Sequence, residues 1–310
     1  MRIGIIGCDT SHVPAFTKIF NNQKAEGELA GFRVVAAFPG GSDDVPESKN
    51  RVKGFTEQLR KMDVEIVDSI EALLTKVDAV LLESVDGRPH LQQVIPVLKA
   101  GKLCFIDKPV AGSLADALMI YDLAKKHKTP VFSASSLRFS PDIQAARKNP
   151  KVGEVLGCMV YSPCSLEKHH PDLFWYGVHG VEMLYTIMGT GCKQVTRVHT
   201  PDIDIVTGVW GDGRVATYRG IRKGMSGYGG VVFGNKGIQP AGSYGGYEPL
   251  VREIAKFFRT GTPPVSVEET IEMFAFMEAA DESKRQGGAA VTLDTVLKTA
   301  REVNAKRAER

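Results

Sequence analysis

The sequence predicts an α/β chain: a doubly wound parallel sheet over residues 1–135, then an α+β domain with an open, largely antiparallel sheet over 136–310. Two observations predict it. Through residue 135, short apolar, β-branched runs alternate with segments of helical period, the pattern of βαβ units with right-handed crossovers. Beyond it, long β-like runs follow one another directly, with turn residues between them.

"RIGIIG", at the start, is continuous and apolar, as a strand buried on both faces should be. The next helix takes Thr10 or Ser11 as its cap and Pro14 in its first turn. Phe32–Phe38 forms the second strand, and 51–61 is helical. Asp78–Ser84 is a strand, "HLQQVIPVLKAG" a helix ending at Gly101, and "KLCFID" a strand. "SLADALMIYDLAKKHK" is a helix capped by Ser113, and "PVFSAS" closes the first sheet. In the second domain, strands are expected over 153–162, 193–199, 203–210, 214–221 and 228–233, with a hairpin turn at Gly211-Asp212-Gly213. A helix at 174–188 interrupts them, and helices at 247–260, 267–286 and 293–308 follow; the terminal one is free to pack back on the first domain. A broad open sheet has a face or edge to cover, so a homo-oligomer, dimer or tetramer, is expected through it.

Bulk properties narrow the function. The 310 residues carry 39 basic and 36 acidic side chains, a net charge of +3, and the basic ones are dispersed. That leaves no basic patch for nucleic acid. No apolar run is long enough for a membrane span, and the first residues enter a strand without a signal-like segment, so a cytoplasmic protein is expected. The five cysteines are odd in number and form no C-x-x-C pair, which suits reduced thiols.

In a doubly wound sheet, ligands bind beyond the carboxyl ends of the strands, so loops 8–12, 39–44, 84–90 and 107–109 are the ones to inspect. The first is "GIIGCDTSH". A Rossmann dinucleotide loop reads G-x-G-x-x-G; here the frame keeps Gly7 but has Asp9 and His12 in place of the second and third glycines. The helix N-terminus still offers N–H groups to a phosphate, with Thr10 and Ser11 as hydroxyl donors. Asp9 is then tolerated only with its carboxylate turned aside or paired, with His12 or a substrate group as partner. The second strand runs into "FPGGSDD"; Ser42, with Lys49 or Arg51, could greet a 2′-phosphate, whereas Asp43 comes late for a ribose acid. "PCSLEKHHPD" holds Cys164, Glu167, His169, His170 and Asp172, whose spacing matches no zinc pattern, so no metal site is expected; His169 and His170 are read as a substrate-contacting loop.

With these residues in view, the chain resembles the glucose–fructose oxidoreductase / inositol dehydrogenase / rhizopine-catabolism (Gfo/Idh/MocA) family almost end to end. "DAVLLESVDGRPHLQQVIPVLKAGKLCFIDKPVAGSLADALMI" looks like that family's fourth strand, following helix and Glu-Lys-Pro motif, here Asp107-Lys108-Pro109. "SLRFSPDIQAAR" looks like its R-[FYW]-x-P segment, "VGEV" like the start of its second domain, and "YGVHGVEMLYTIMG" like its histidine helix.

The resemblance implies an NAD(P)-dependent oxidoreductase acting on a sugar, polyol or related hydroxylated small molecule. It implies catalytic roles for Lys108, near the nicotinamide and the substrate hydroxyl, and His179, which handles the proton. Gly7, Asp9, Thr10, Ser11, His12, Ser42, Ser84, Asp107 and Lys108 are the expected cofactor residues. Arg138, His169, His170, Trp175 and His179 are the expected substrate residues. The Lys108–Pro109 peptide is expected to be cis. Where the family has an aspartate one turn before the histidine, this chain has Trp175. That departure leaves room for two alternatives: a redox-assisted glycosidase or lyase using bound NAD, or a ligand-sensing regulatory protein without catalysis.

Overall fold

A computed structural model describes residues 1–309. The chain divides into two compact units, Met1–Ala134 with Tyr247–Ser266, and Ser135–Gly246 with Val267–Arg310.

The first unit follows the alternation of the sequence. Strand β1 (Arg2–Ile6) leads to helix α1 (His12–Phe20), then β2 (Arg33–Phe38) and α2 (Pro46–Arg60). Two short elements that carry too few residues to show a period come next, β3 (Glu65–Ile66) and α3 (Ile70–Leu74). The unit continues through β4 (Ala79–Leu82), α4 (His90–Lys99), β5 (Leu103–Ile106), α5 (Leu114–His127) and β6 (Val131–Ser133). The strands form one parallel sheet in the order β3-β2-β1-β4-β5-β6. The order reverses beside β1, the switch point at which doubly wound sheets open a crevice. β1 and β4 are buried along nearly their whole length, which is why their sequences show no alternation. Helix α2 begins earlier than its apolar period suggests, because Pro46 sits at its first position, where a missing N–H costs nothing.

In the second unit, α6 (Pro141–Arg147) precedes β7 (Val155–Pro163), and a π-helical turn, Leu173–Gly177, runs into α7 (Val178–Met188). Then come β8 (Cys192–His199), β9 (Ile203–Trp210), β10 (Val215–Ile221), β11 (Gly229–Gly234) and β12 (Ile238–Pro240). Helix α8 (Glu248–Thr260) belongs to the first unit, where its Phe257 meets Phe132 and its Arg252 pairs with Glu28. α9 (Val267–Arg285), β13 (Val291–Thr292) and α10 (Leu293–Ala308) complete the second unit, so the terminal helix packs there on α9 and β8. The sheet order is β12-β11-β7-β10-β9-β8-β13, antiparallel except for β7 with β10.

Each face of this sheet has its own chemistry. Cys158, Val160, Ala216, Tyr218, Val206 and Val195 are buried on the side on which α7 and α9 pack. The opposite face carries cross-strand rows such as Val231–Met159–Thr217–Thr207 and Tyr161–Arg219–Ile205–Val198. Met159 and Val198 there are 54% and 64% exposed. Among the described residues, no helix is long and apolar enough to cross a membrane, and all five cysteines are free and buried.

Candidate functional site

Candidate chemistry gathers at one place in each unit. In the first it is the C-terminal edge of the parallel sheet. Gly7 has a φ of +88°, and a Cβ there would meet Ser84 atoms at 2.4 Å, so the loop leaves β1 by a path open only to glycine. Backbone bonds from Gly7 N–H to the Phe38 carbonyl and from Cys8 N–H to the Pro39 carbonyl hold that path beside β2.

Asp9 is fully buried. Its Oδ2 accepts from the Ser48 hydroxyl at 2.6 Å and its Oδ1 from the Val85 N–H at 2.8 Å. The carboxylate is thus turned into the protein, as the sequence required, but its partners are not those expected: they lie on α2 and in the loop after β4. Burial pushes its pKa above the usual range, and the bonds from Ser48 and Val85 oppose that shift.

His12 pairs elsewhere. Its Nδ1 is 2.7 Å from Asp107 Oδ2, its ring stacks on Phe16, and Tyr247 meets it edge-on. Asp107 Oδ1 accepts the Lys108 N–H at 2.9 Å. Burial would raise the Asp107 carboxyl; the neighbouring His12 and Lys108 outweigh it and hold the group below its ordinary range. Lys108 is buried and its bond to Pro109 is cis, as expected.

Ser84 is buried, its hydroxyl donating to Gln93 Oε1, and its carbonyl lies 2.8 Å from His90 Nε2. His90 is thereby a structural residue of the α4 start, its second nitrogen 3.3 Å from the Val110 carbonyl. Thr10 is buried, Ser11 is exposed with its hydroxyl 3.4 Å from Tyr247 Oη, and Ser42 donates its N–H to Ser48 Oγ. Beside the end of β2 lies a cavity of about 500 Å³ lined by Phe38, Asp68, Ser69 and Gln92. Sequence reasoning placed no residue of that segment in the site, because 68–69 sit between two elements too short to be read.

In the second unit, His179 is the second residue of α7. Its Nδ1 lies 2.7 Å from Ser135 Oγ, which also accepts the Leu137 N–H. Tyr176 meets the imidazole edge-on at 4.9 Å and Tyr228 at 6.1 Å, and Tyr244 packs on Tyr228. The π-helical turn that carries Tyr176 inserts an extra residue ahead of α7, a distortion common at functional sites. None of Ser135, Tyr176, Tyr228 or Tyr244 was singled out from the sequence; a serine, a tyrosine in a helical turn and two tyrosines in Gly-rich loops carry no common spacing signal.

The other expected substrate residues are taken up differently. Arg138 is buried and forked between Glu182 and Glu269 (2.7 Å to the latter), with Met273 Sδ at 3.3 Å. Its guanidinium ties α7 to α9. Burial raises the Glu182 carboxyl, against the pull of Arg138. Trp175 is 4% exposed and packs on buried His170. His169 Nδ1 lies 2.7 Å from Glu167 Oε1. The metal-capable residues of 164–172 do not converge: Asp172 accepts from Arg197 and Lys284, and the Cys164 thiol faces Asp204.

Residues 1–135 match the profile of the oxidoreductase family with NAD-binding Rossmann fold, Gfo/Idh/MocA. Comparison with curated protein sequences gave no match. Among solved structures, scyllo-inositol dehydrogenase from Lactobacillus casei, with bound NAD(H) and scyllo-inositol, superposes with a TM-score of 0.76 at 14% identity over 95% of this chain and 99% of that one. An oxidoreductase from Thermotoga maritima gives 0.75 at 19% identity, covering 96% and 99%. An oxidoreductase from Agrobacterium radiobacter, in complex with NAD⁺, L-tartaric acid and magnesium, gives 0.73 at 16% identity, covering 96% and 99%. At these identities the likeness is one of fold.

Proposed function

We propose, from the match of residues 1–135 to the Gfo/Idh/MocA oxidoreductase profile, that the protein is an NAD(P)-dependent oxidoreductase acting on a sugar, polyol or related hydroxylated small molecule. The observation that carries the reading is the fate of the two side chains that break the glycine pattern. Asp9 is spent on Ser48 and Val85, and His12 on Asp107 and Phe16, so neither charge nor bulk is thrown outward from the loop. The residues therefore fit a dinucleotide: the Gly7 turn, the Thr10 and Ser11 hydroxyls and the start of α1 would hold its phosphates. A bound nicotinamide would supply the hydride acceptor or donor.

The chain's own groups do the rest. Lys108, at the end of β5 and fixed by its N–H bond to Asp107, would orient the substrate hydroxyl as a positioned cation or acid/base. His179, held through Nδ1 by Ser135, would present Nε2 to move the hydroxyl proton. Tyr176 and Tyr228, beside that imidazole, offer the aromatic faces on which the C–H face of a sugar or cyclic polyol packs. The exposed face of the second sheet would pair with a second copy, giving a dimer or tetramer.

Calorimetry with NAD(H) and NADP(H), followed by turnover with a panel of polyols and sugars, tests the reading. Lys108→Met keeps most of the stem and loses the charge. It should bind the dinucleotide, keep its circular dichroism and turn over about 10²–10⁴-fold more slowly. Unchanged turnover would remove Lys108 from the mechanism. No dinucleotide binding in the parent would favour a ligand-sensing protein.

A further inference from the structure

One buried group at the edge of the parallel sheet has no part in the chemistry proposed above. Glu83, which follows β4, is fully buried, and neither carboxylate oxygen has a hydrogen-bond partner. A polar group so placed needs a proton donor, a cation or a ligand. Two further ligating side chains converge on it. One ligand atom from each of His12, Glu83 and Asp107 lies within 4.8 Å of the other two, and all three residues are buried.

We propose that His12, Glu83 and Asp107 form a binding site for one divalent transition-metal ion of the zinc or manganese class. One imidazole nitrogen with two carboxylate oxygens is a donor set such ions accept, and the two carboxylates balance the double charge. The geometry is within reach. The His12 Nδ1 to Asp107 Oδ2 separation is 2.7 Å. Two ligands about 2.1 Å from one ion stand about 3.0 Å apart at right angles and about 3.4 Å apart at the tetrahedral angle, so His12 and Asp107 must part by roughly 0.3–0.7 Å to exchange their hydrogen bond for two metal bonds. The first ligand comes from the start of α1, the second from the end of β4 and the third from the end of β5. An ion there would clip together three segments at the mouth of the sheet. It would also fix Asp107, which in turn accepts the Lys108 N–H. The proposal does not depend on which substrate, or which dinucleotide, the protein takes.

The test uses the full chain without an affinity tag. Metal content is measured by mass spectrometry, and the protein is then stripped with a chelator and titrated with Zn²⁺ and Mn²⁺ by calorimetry and thermal unfolding. The expected result is about one ion per chain, a lower unfolding temperature after stripping, and recovery on adding back one equivalent. Glu83→Gln keeps the shape and offers Asp107 an amide donor, as a protonated Glu83 would. If the site is a metal site, this variant folds but binds the ion at least about tenfold more weakly. Co²⁺ substitution gives a second readout that needs no variant: a visible spectrum without a thiolate charge-transfer band. Failure of the stripped parent to bind either ion, equal binding by Glu83→Gln, or a thiolate band would each overturn the proposal.

Discussion

Replacing Asp9 by glycine restores the second glycine of the phosphate loop and so improves the sequence pattern, yet the structure predicts a weaker protein. The carboxylate holds two buried donors, the Ser48 hydroxyl at 2.6 Å and the Val85 N–H at 2.8 Å. Hydrogen bonds to a charged acceptor contribute about 1.5–3 kcal/mol each, so the pair contributes about 3–6 kcal/mol. Relief of the buried charge, whose desolvation already raises this carboxyl's pKa, returns part of that. Added backbone freedom in the unfolded chain costs the variant roughly 0.5–1 kcal/mol more. The net expectation for Asp9→Gly is a loss of about 2–4 kcal/mol. Urea unfolding followed by circular dichroism measures it as a lower midpoint at unchanged slope. Dinucleotide affinity should fall too, because the loop loses its tie to α2 and to the loop after β4, while no outward-facing charge is removed. Asp9→Asn, which can still accept one bond, should lie between. An Asp9→Gly protein within about 0.5 kcal/mol of the parent, or one that binds the dinucleotide more tightly, would refute the strut role.

Arg197 is buried among Asp172, Asp204 and Asp281, and Asp204 also meets Arg222 and His199. Burial pushes the Asp204 carboxyl up, but Arg197 and Arg222 outweigh it and hold it below the usual carboxylate range. Its folded pKa is lower than its unfolded one, so its contribution is complete above about pH 4 and is lost as pH falls through the depressed value. Asp204→Asn should therefore cost about 3–5 kcal/mol near pH 7, and less in acid, read from urea midpoints at several pH values; a penalty that grows on acidification would contradict this sign. On the open sheet face, Met159→Glu with Val198→Glu should lower the mass seen in sedimentation from that of an oligomer to that of a monomer. A parent that already sediments as a monomer would remove the pairing proposal.

Much of the architecture is local information. Continuous apolar runs such as Ile3–Ile6 and Ala79–Leu82 announce strands buried on both faces, whereas β9 buries alternate residues, Asp204, Val206, Gly208 and Trp210, with no matching alternation in hydropathy. Gly7 and the "DKP" turn were legible because a positive φ and a proline leave marks in sequence. The two-residue strands β3 and β13 were not, since a period of two cannot show itself in two residues. The same limit governs the sites. The family resemblance implied Lys108 and His179 as candidates, and the glycine pattern flagged Asp9 and His12 as departures from it. Only the fold decided where those side chains go: Asp9 to Ser48, 39 residues away, and His12 to Asp107, 95 residues away. It also decided that Arg138 is spent on Glu182 and Glu269, 44 and 131 residues on. Glu83 closes an otherwise apolar strand run and gives no periodic signal; its meaning arises from two residues on other segments that the sheet brings within 4.8 Å. Local pattern reports which face of an element is apolar, whereas the pairing of polar groups across long separations is set by how the elements pack.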